Sequence, residues 1–245
     1  MNKTTLITSA SVAALLMSSA AMAEPTRGFT QERAGAAESG TVSVDMGWTR
    51  ELNQTGMPVT FGVRGGLGAG ELLINRLDPA TGQAGMIQRA SIGYKFPFMN
   101  DMLAVYGGIS FNDWDENADE ASAVQDESTT TINFGVAYTQ AFGPVSINVN
   151  PEIHVADSED EDGELIRVGA GVFYGIPNTG WSLGLEYNFI DGEFDNAADF
   201  DDDSLHLGAR WAANDNATLD IVFFEDRGDQ DRLSIPGLVQ LNVRF

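Results

Sequence analysis

The chain has 245 residues, with 13 Lys and Arg against 36 Asp and Glu, which gives a formal net charge of −23. It contains no Cys and two His, which excludes disulfide scaffolds, thiol nucleophiles, thiolate metal sites and three-His zinc centres. The strong negative charge also argues against a nucleic-acid partner, because binding through phosphates needs a basic surface.

The first 23 residues predict a cleaved signal peptide. Lys3 supplies a positive start, residues 6–17 form a short apolar stretch, and residues 21–23 form a small-x-small cleavage site. The apolar stretch is too short and too rich in Ser to predict a transmembrane anchor. We therefore expect an exported protein.

After the signal peptide, apolar and polar residues alternate in one segment after another. In residues 181–189, for example, an apolar side chain stands at every second position. Successive side chains of a strand point to opposite faces, so each such segment has one apolar and one polar face. Eleven segments are clear: 41–51, 58–64, 86–96, 102–112, 132–139, 145–155, 165–175, 181–189, 205–212, 217–225 and 238–245.

The connections between these segments also alternate, between short and long. The short ones hold Pro, Gly and Asn, which favour tight turns: 98–101, 142–144, 176–180 and 213–216. The long ones contain 24 of the 36 acidic residues: 113–128, 157–164, 191–203 and 225–232. Short turns on one rim and long polar loops on the other are typical of outer-membrane barrels.

The last segment ends in an aromatic residue, Phe245, and aromatic side chains such as Trp48, Tyr94, Trp181 and Trp211 stand near segment ends. With the signal peptide and the alternation, these features resemble Gram-negative outer-membrane β-barrel proteins of the small porin-like class. The resemblance implies that Phe245 is the signal read by the barrel-assembly machinery. A soluble β-sandwich also alternates, but charges in mid-segment on the polar faces favour the barrel.

The resemblance implies an all-β fold: a closed antiparallel transmembrane barrel with short periplasmic turns and long acidic extracellular loops. Because such barrels have an even strand number, a twelfth strand is needed. We predict it at 67–77, which is more apolar than the other candidate, 27–36, and ten strands is the alternative if 67–77 is a loop. We expect residues 24–40 in the periplasm and the barrel at 41–245.

Within a closed barrel, the apolar faces meet lipid and the polar faces meet the lumen. The alternation then predicts these pore-lining residues: Asp45, Arg64, Arg89, Lys95, Glu152, His154, Arg167, Glu186, Arg210, Asp220 and Arg244. These charges either pair across the lumen and make the barrel rigid, or line a water-filled path. Many inward positions are Gly, which favours the second reading because Gly leaves room.

The sequence therefore predicts a narrow porin-like channel for passive diffusion of small solutes or ions in the outer membrane. The alternative is a non-conducting barrel with a structural or surface-interaction role, such as adhesion or lipopolysaccharide contact. A hydrolase fits less well, because Ser204 stands two residues before His206, where outer-membrane proteases have Asp. Glu152 and His154 share a face, but a simple ion pair explains them, so we expect no catalytic residues and no enzyme.

Neither a cofactor nor a dedicated metal site is predicted. Residues 158–164 partly resemble a calcium loop, but Gly169 stands where the closing Glu would be. The acidic loops could still bind divalent cations loosely and bridge them to lipopolysaccharide. The expected partners are outer-membrane lipid, lipopolysaccharide and the barrel-assembly machinery, with no nucleic acid.

Overall fold

The computed structural model of the chain describes residues 27–49, 59–75, 86–114, 127–157, 162–194, 200–227 and 238–245. The predicted signal peptide lies outside these residues, as do large parts of the long acidic connections. In the described part of the chain, no helix has the length and apolar character needed to cross a membrane.

Twelve antiparallel strands form a closed barrel in which each strand pairs with its neighbours in the chain and β1 pairs with β12. They are β1 (Val42–Thr49), β2 (Val59–Leu67), β3 (Gly70–Ile74), β4 (Met86–Phe98), β5 (Leu103–Trp114), β6 (Glu127–Phe142), β7 (Val145–Asp157), β8 (Asp162–Gly175), β9 (Trp181–Phe194), β10 (Phe200–Asn214), β11 (Ala217–Arg227) and β12 (Leu238–Arg244). The predicted all-β twelve-strand barrel is confirmed, and β3 lies within the predicted twelfth strand, 67–77.

The alternating residues of each strand lie on the inner and the outer face of the barrel in turn. In β8, Leu165 and Arg167 are fully buried in the lumen, whereas Ile166 and Val168 between and beyond them are 49% and 41% exposed. On β6, Ile132 and Phe134 are each 57% exposed on the outer face. An outer surface of large apolar side chains around a polar interior is the pattern of a barrel that lies in lipid.

Several strands run past their predicted ends at the long-loop rim. The strand predicted at 181–189 ends at Phe194, and the one predicted at 205–212 begins at Phe200. Phe200 pairs with Gly192 and Asp201 with Asp191, so the ladder continues after the apolar alternation stops. Strand pairing needs only backbone groups, so it can continue beyond the apolar alternation. The alternation marks only the part of a strand that contacts apolar surroundings, and it therefore predicts strands that are too short.

Pro151 lies within a strand, where a proline favours a bulge or a strand end, but it neither ends β7 nor introduces a bulge. The register to β6 is the same before and after it, Gly135↔Glu152 and Tyr138↔Val149, although the pairs between these two are missing. Proline has no N–H to give to the ladder. The side-chain amide of Asn150 instead donates to the Val136 carbonyl at 2.8 Å, which satisfies the acceptor opposite Pro151.

The largest departure from expectation is the N-terminal segment, which we predicted to lie in the periplasm. Ser39 pairs with Gly66 at the short-turn rim, and the residues before it run back into the lumen. Phe29 and Ala34 are 1% and 0% exposed, and the Phe29 amide donates to the Glu186 carboxylate of β9 at 2.9 Å. This polar segment enters because the inner wall offers it hydrogen-bond partners. We call residues 27–34 the plug.

The role of Asn150 beside Pro151 can be isolated by a double-mutant cycle. Asn150→Ala should destabilise the barrel, because the Val136 carbonyl loses its donor, and the loss should shrink by about 1 kcal/mol when Pro151→Ala restores a backbone N–H. The measurement is urea unfolding of the refolded barrel in lipid vesicles. If Asn150→Ala lowers the free energy of unfolding equally with Pro151 and with Pro151→Ala, the Asn150 side chain does not replace the missing backbone donor.

Candidate functional site: the plugged lumen

The plug is a tight loop. Arg27 and Glu32 face each other as an antiparallel bridge, and the Gly28 amide donates to the Gln31 carbonyl at 2.8 Å. The loop therefore folds back on itself inside the barrel and presents backbone groups to the inner wall on several sides.

Wall side chains accept hydrogen bonds from the plug's amides. The Glu186 carboxylate of β9 accepts from the Phe29 and Thr30 amides at 2.9 and 2.8 Å and from the Thr30 hydroxyl at 2.9 Å. The Asn150 side-chain oxygen accepts from the Glu32 amide at 3.2 Å. Glu186 is thus placed to receive N–H and O–H donors that the plug brings into the lumen.

Wall side chains also donate to the plug's carbonyls. Arg210 of β10 donates to the carbonyls of Arg27 and Gly28 at 3.0 and 3.1 Å. Arg167 of β8 donates to the Thr30 carbonyl at 3.0 Å. Donors and acceptors of the wall are therefore interleaved along the plug, and each satisfies a backbone group that would otherwise be buried without a partner.

The charged centre of the site is Glu32. Its carboxylate binds the Arg64 guanidinium through two bonds of 2.7 and 3.0 Å and contacts the Lys95 ammonium at 3.1 Å. Glu71 of β3 contacts the same ammonium at 2.7 Å, and Asp45 of β1 contacts the Arg64 Nε at 3.0 Å. A two-bond arginine–carboxylate pair is both strong and geometrically specific, so Glu32 holds the plug in register.

Two further wall cations pair with wall carboxylates. Arg167 lies 2.7 Å from Glu152, and Arg210 lies 2.6 Å from Asp220. Within the plug, Arg27 contacts Asp45 at 3.0 Å and donates to the Gln240 side chain. The cations Arg64, Lys95, Arg167 and Arg210, which could have lined an open path, are thus paired with wall carboxylates, and two of them also with the plug.

Phe29 fills an apolar recess in the otherwise polar wall. Its ring lies 5.1 Å from the Phe173 ring, centroid to centroid, and packs with Val222. A Cβ at Gly184 or Gly208 would stand only 2.7 or 2.9 Å from the Phe29 ring. Glycine at these inward positions makes room for the plug, and not for a water-filled path as we expected.

Nine of the eleven predicted lining residues have side chains that the structure shows inside the barrel: Asp45, Arg64, Lys95, Glu152, His154, Arg167, Glu186, Arg210 and Asp220. Arg244 pairs with the buried Ser43, which puts it on the same inward face. The side chain of Arg89 lies outside the described residues. Six of these wall residues contact the plug: Asp45, Arg64, Lys95, Arg167, Glu186 and Arg210.

Sequence reasoning missed Glu71 and all the plug residues. Glu71 stands one residue before Leu72 and two before Leu73 in the weakest predicted strand, so its face could not be assigned with the others. Arg27, Glu32 and Arg33 belong to a segment without alternation. Their mixed charges around a single Phe carry no signal for a lumen position.

Two histidines also lie inside the barrel. His154 is 3.8 Å from the Glu152 carboxylate, and His206 lies 3.0 Å from the Ser204 hydroxyl, a contact that we did not predict. Both Ser204 and His206 are buried, at 2% and 5% exposure. Among the residues that the structure describes, no group of three or more His, Asp or Glu side chains is arranged to hold a metal ion.

No family model matches this sequence, and no curated protein matches it. Solved structures with similarity include outer-membrane proteins. OmpT, an outer membrane protein of Vibrio cholerae, has 14% identity and a TM-score of 0.44 over 76% of this chain and 62% of its own. The chain thus spans less than two thirds of that protein's length.

An outer membrane channel from Pseudomonas putida F1 has 9% identity and a TM-score of 0.47, over 86% of this chain and 95% of its own. The TodX monoaromatic hydrocarbon channel, as a deletion mutant, has 10% identity and a TM-score of 0.39, over 85% of this chain and 88% of its own.

The plug's hold on the wall can be measured by trypsin, because Arg27 and Arg33 are 8% and 3% exposed and so are protected from cleavage while it is seated. Glu32→Gln weakens three charge-assisted bonds of about 1.5–3 kcal/mol each, so cleavage after Arg33 should speed up about tenfold or more. Mass spectrometry of the folded barrel in vesicles gives the rate.

The matched control is Glu38→Gln, the same chemical change at an exposed position of the same segment. It should cleave at the rate of the unchanged chain. Equal rates for both variants would show that Glu32 does not hold the plug.

Proposed function

We propose that this chain is an outer-membrane channel that the plug closes and that opens when the plug leaves the lumen. The open barrel would conduct small solutes by passive diffusion, without a cofactor and without catalysis. The apolar outer surface supports the membrane location, because large side chains such as Ile92, Ile132 and Phe134 are more than half exposed there. Recognition of Phe245 by the assembly machinery, contact with lipopolysaccharide and loose binding of divalent cations stay predictions.

The observation that carries the proposal is the charge balance of the wall without the plug. Arg64 keeps Asp45 at 3.0 Å, and Lys95 keeps Glu71 at 2.7 Å. Arg167 and Arg210 likewise keep their wall carboxylates. Removing one partner of a buried ion pair costs about 3–5 kcal/mol, because it strands a charge. The plug can leave without stranding any of these four cations.

The plug itself is also suited to removal. Most of its contacts are hydrogen bonds and ion pairs, which water in an open lumen would replace. Its main apolar contact is the single ring of Phe29 on Phe173. A lumen of twelve strands lies between the filled interior of about eight strands and the wide channel of about sixteen. Emptied of the plug, this lumen would be narrow and polar.

In the open state we expect the path to be lined by the residues that alternation predicts: Asp45, Arg64, Arg89, Lys95, Glu152, His154, Arg167, Glu186, Arg210, Asp220 and Arg244. Glu71 joins them from β3. Because cations and carboxylates are closely paired along the wall, we expect weak selectivity between small cations and anions.

The second candidate is a closed barrel in which the plug is a permanent core. The buried two-bond pair between Glu32 and Arg64 favours it, since such pairs are geometrically specific. A permanently closed barrel would act through its outer surface and loops. Conductance separates the two candidates.

We expect Glu32→Gln to raise the open fraction about tenfold or more in planar bilayers, because the plug loses charge-assisted bonds of about 1.5–3 kcal/mol while the wall cations keep their wall partners. Glu38→Gln should conduct as the unchanged chain does. If neither variant nor the unchanged chain shows current above the lipid baseline, the closed barrel is the correct reading.

A reversible lock tests the same gate without changing its charges. The Cβ that Gly169 lacks would lie 3.0 Å from Cγ of Gln31, so Gln31→Cys with Gly169→Cys places two thiols within disulfide reach. The chain has no other Cys. The oxidised double variant should be silent and should conduct after reduction. Each single variant should be insensitive to reduction, and a double variant that conducts equally in both states would contradict a gate at this position.

A further inference from the structure

The wall binds the plug's main chain as well as its side chains. Four plug amides, those of Phe29, Thr30, Glu32 and Ala34, donate to wall side chains. Four plug carbonyls, those of Arg27, Gly28, Thr30 and Glu32, accept from wall side chains. Backbone groups are the same in every peptide, so this part of the wall is not matched to one sequence.

The wall also binds plug side chains, among them those of Arg27, Gln31 and Arg33. Two further side-chain contacts, those of Phe29 and Glu32, define the ligand proposed below. The recess formed by Phe173 and Val222 holds the Phe29 ring, with the Arg210 guanidinium 5.9 Å from that ring. Arg64 and Lys95 hold the carboxylate of Glu32, three residues further along. The side chains read at these places are an aromatic ring and a carboxylate.

We infer that the emptied lumen is a binding site for short peptides that carry an aromatic residue followed three positions later by a carboxylate. The plug then acts as an internal competitor that occupies this site in the closed state. The inference rests on the proposed function, because a peptide can enter only if the plug leaves, and it names the ligand class of the open lumen.

Other small solutes match this wall less completely. A hydrocarbon would fill the Phe173 recess but would leave Glu186 and Arg167 without the hydrogen bonds that the plug gives them. An inorganic ion would leave the recess empty. A peptide supplies N–H donors for Glu186 and a carbonyl for Arg167 within two successive residues, because both kinds of group occur in every peptide unit.

The test uses the full chain with Glu32→Gln, whose plug is weakened, in planar bilayers. The probe is a synthetic peptide with the sequence of residues 27–36, RGFTQERAGA. We expect it to block the current, and the same peptide with Ala in place of Phe to need about tenfold more, since burial of a Phe side chain contributes about 1.5–3 kcal/mol. The all-D peptide is the matched control, with identical composition and charge, and should not block.

Equal block by the L and D peptides, or no block by the L peptide, overturns the peptide site and leaves the channel proposal standing. If Glu32→Gln fails to fold, full-length Phe29→Ala takes its place. If neither variant conducts, the channel proposal fails. Fluorescence anisotropy of labelled L and D peptides on the refolded barrel then decides the peptide site alone: selective binding of the L peptide supports it, and equal binding overturns it.

Discussion

The structure depends on one constraint: polar groups enclosed by a barrel wall need partners inside that wall. Closure of β1 on β12 satisfies the backbone of the strands, but it also turns the polar face of every strand inward. The inner wall therefore carries carboxylates, guanidiniums and amides in a confined space. The plug brings donors and acceptors to many of them, and this explains why a polar segment lies in the middle of the molecule.

The inner wall accommodates the plug both by its shape and by its charges. Space is made by glycines, since a Cβ at Gly169 would stand 2.7 Å from Cδ of Gln31. Charge is balanced twice: Glu32 binds Arg64 and Lys95 in the seated plug, and Asp45 and Glu71 of the wall contact the same two cations. The contacts of Glu32 hold the plug in one place, and the wall carboxylates would keep these cations paired if the plug left, as we propose.

Glu152 and Asp220 form ion pairs with wall arginines, whereas Glu186 accepts hydrogen bonds from the plug. The three hydrogen bonds that the described part of the structure gives its side chain all come from Phe29 and Thr30. The gate and the peptide site that we propose therefore use the same set of contacts. A lumen that satisfies a peptide backbone in its closed state has the groups needed to bind another peptide in its open state.

Alternation in the sequence determined the barrel, its inside and outside, and the inward position of charges such as Arg167 and Glu186, because strand geometry alone sends every second side chain to one face. The tertiary structure decided what fills the lumen. Residues 27–34 have no periodic pattern, and their position follows from partners far along the chain, Glu186 and Arg64 among them. The hydrogen bond from the Asn150 side chain to the Val136 carbonyl, opposite Pro151, has the same origin. Such contacts join residues that only the closed wall brings together, so no local pattern could have predicted them.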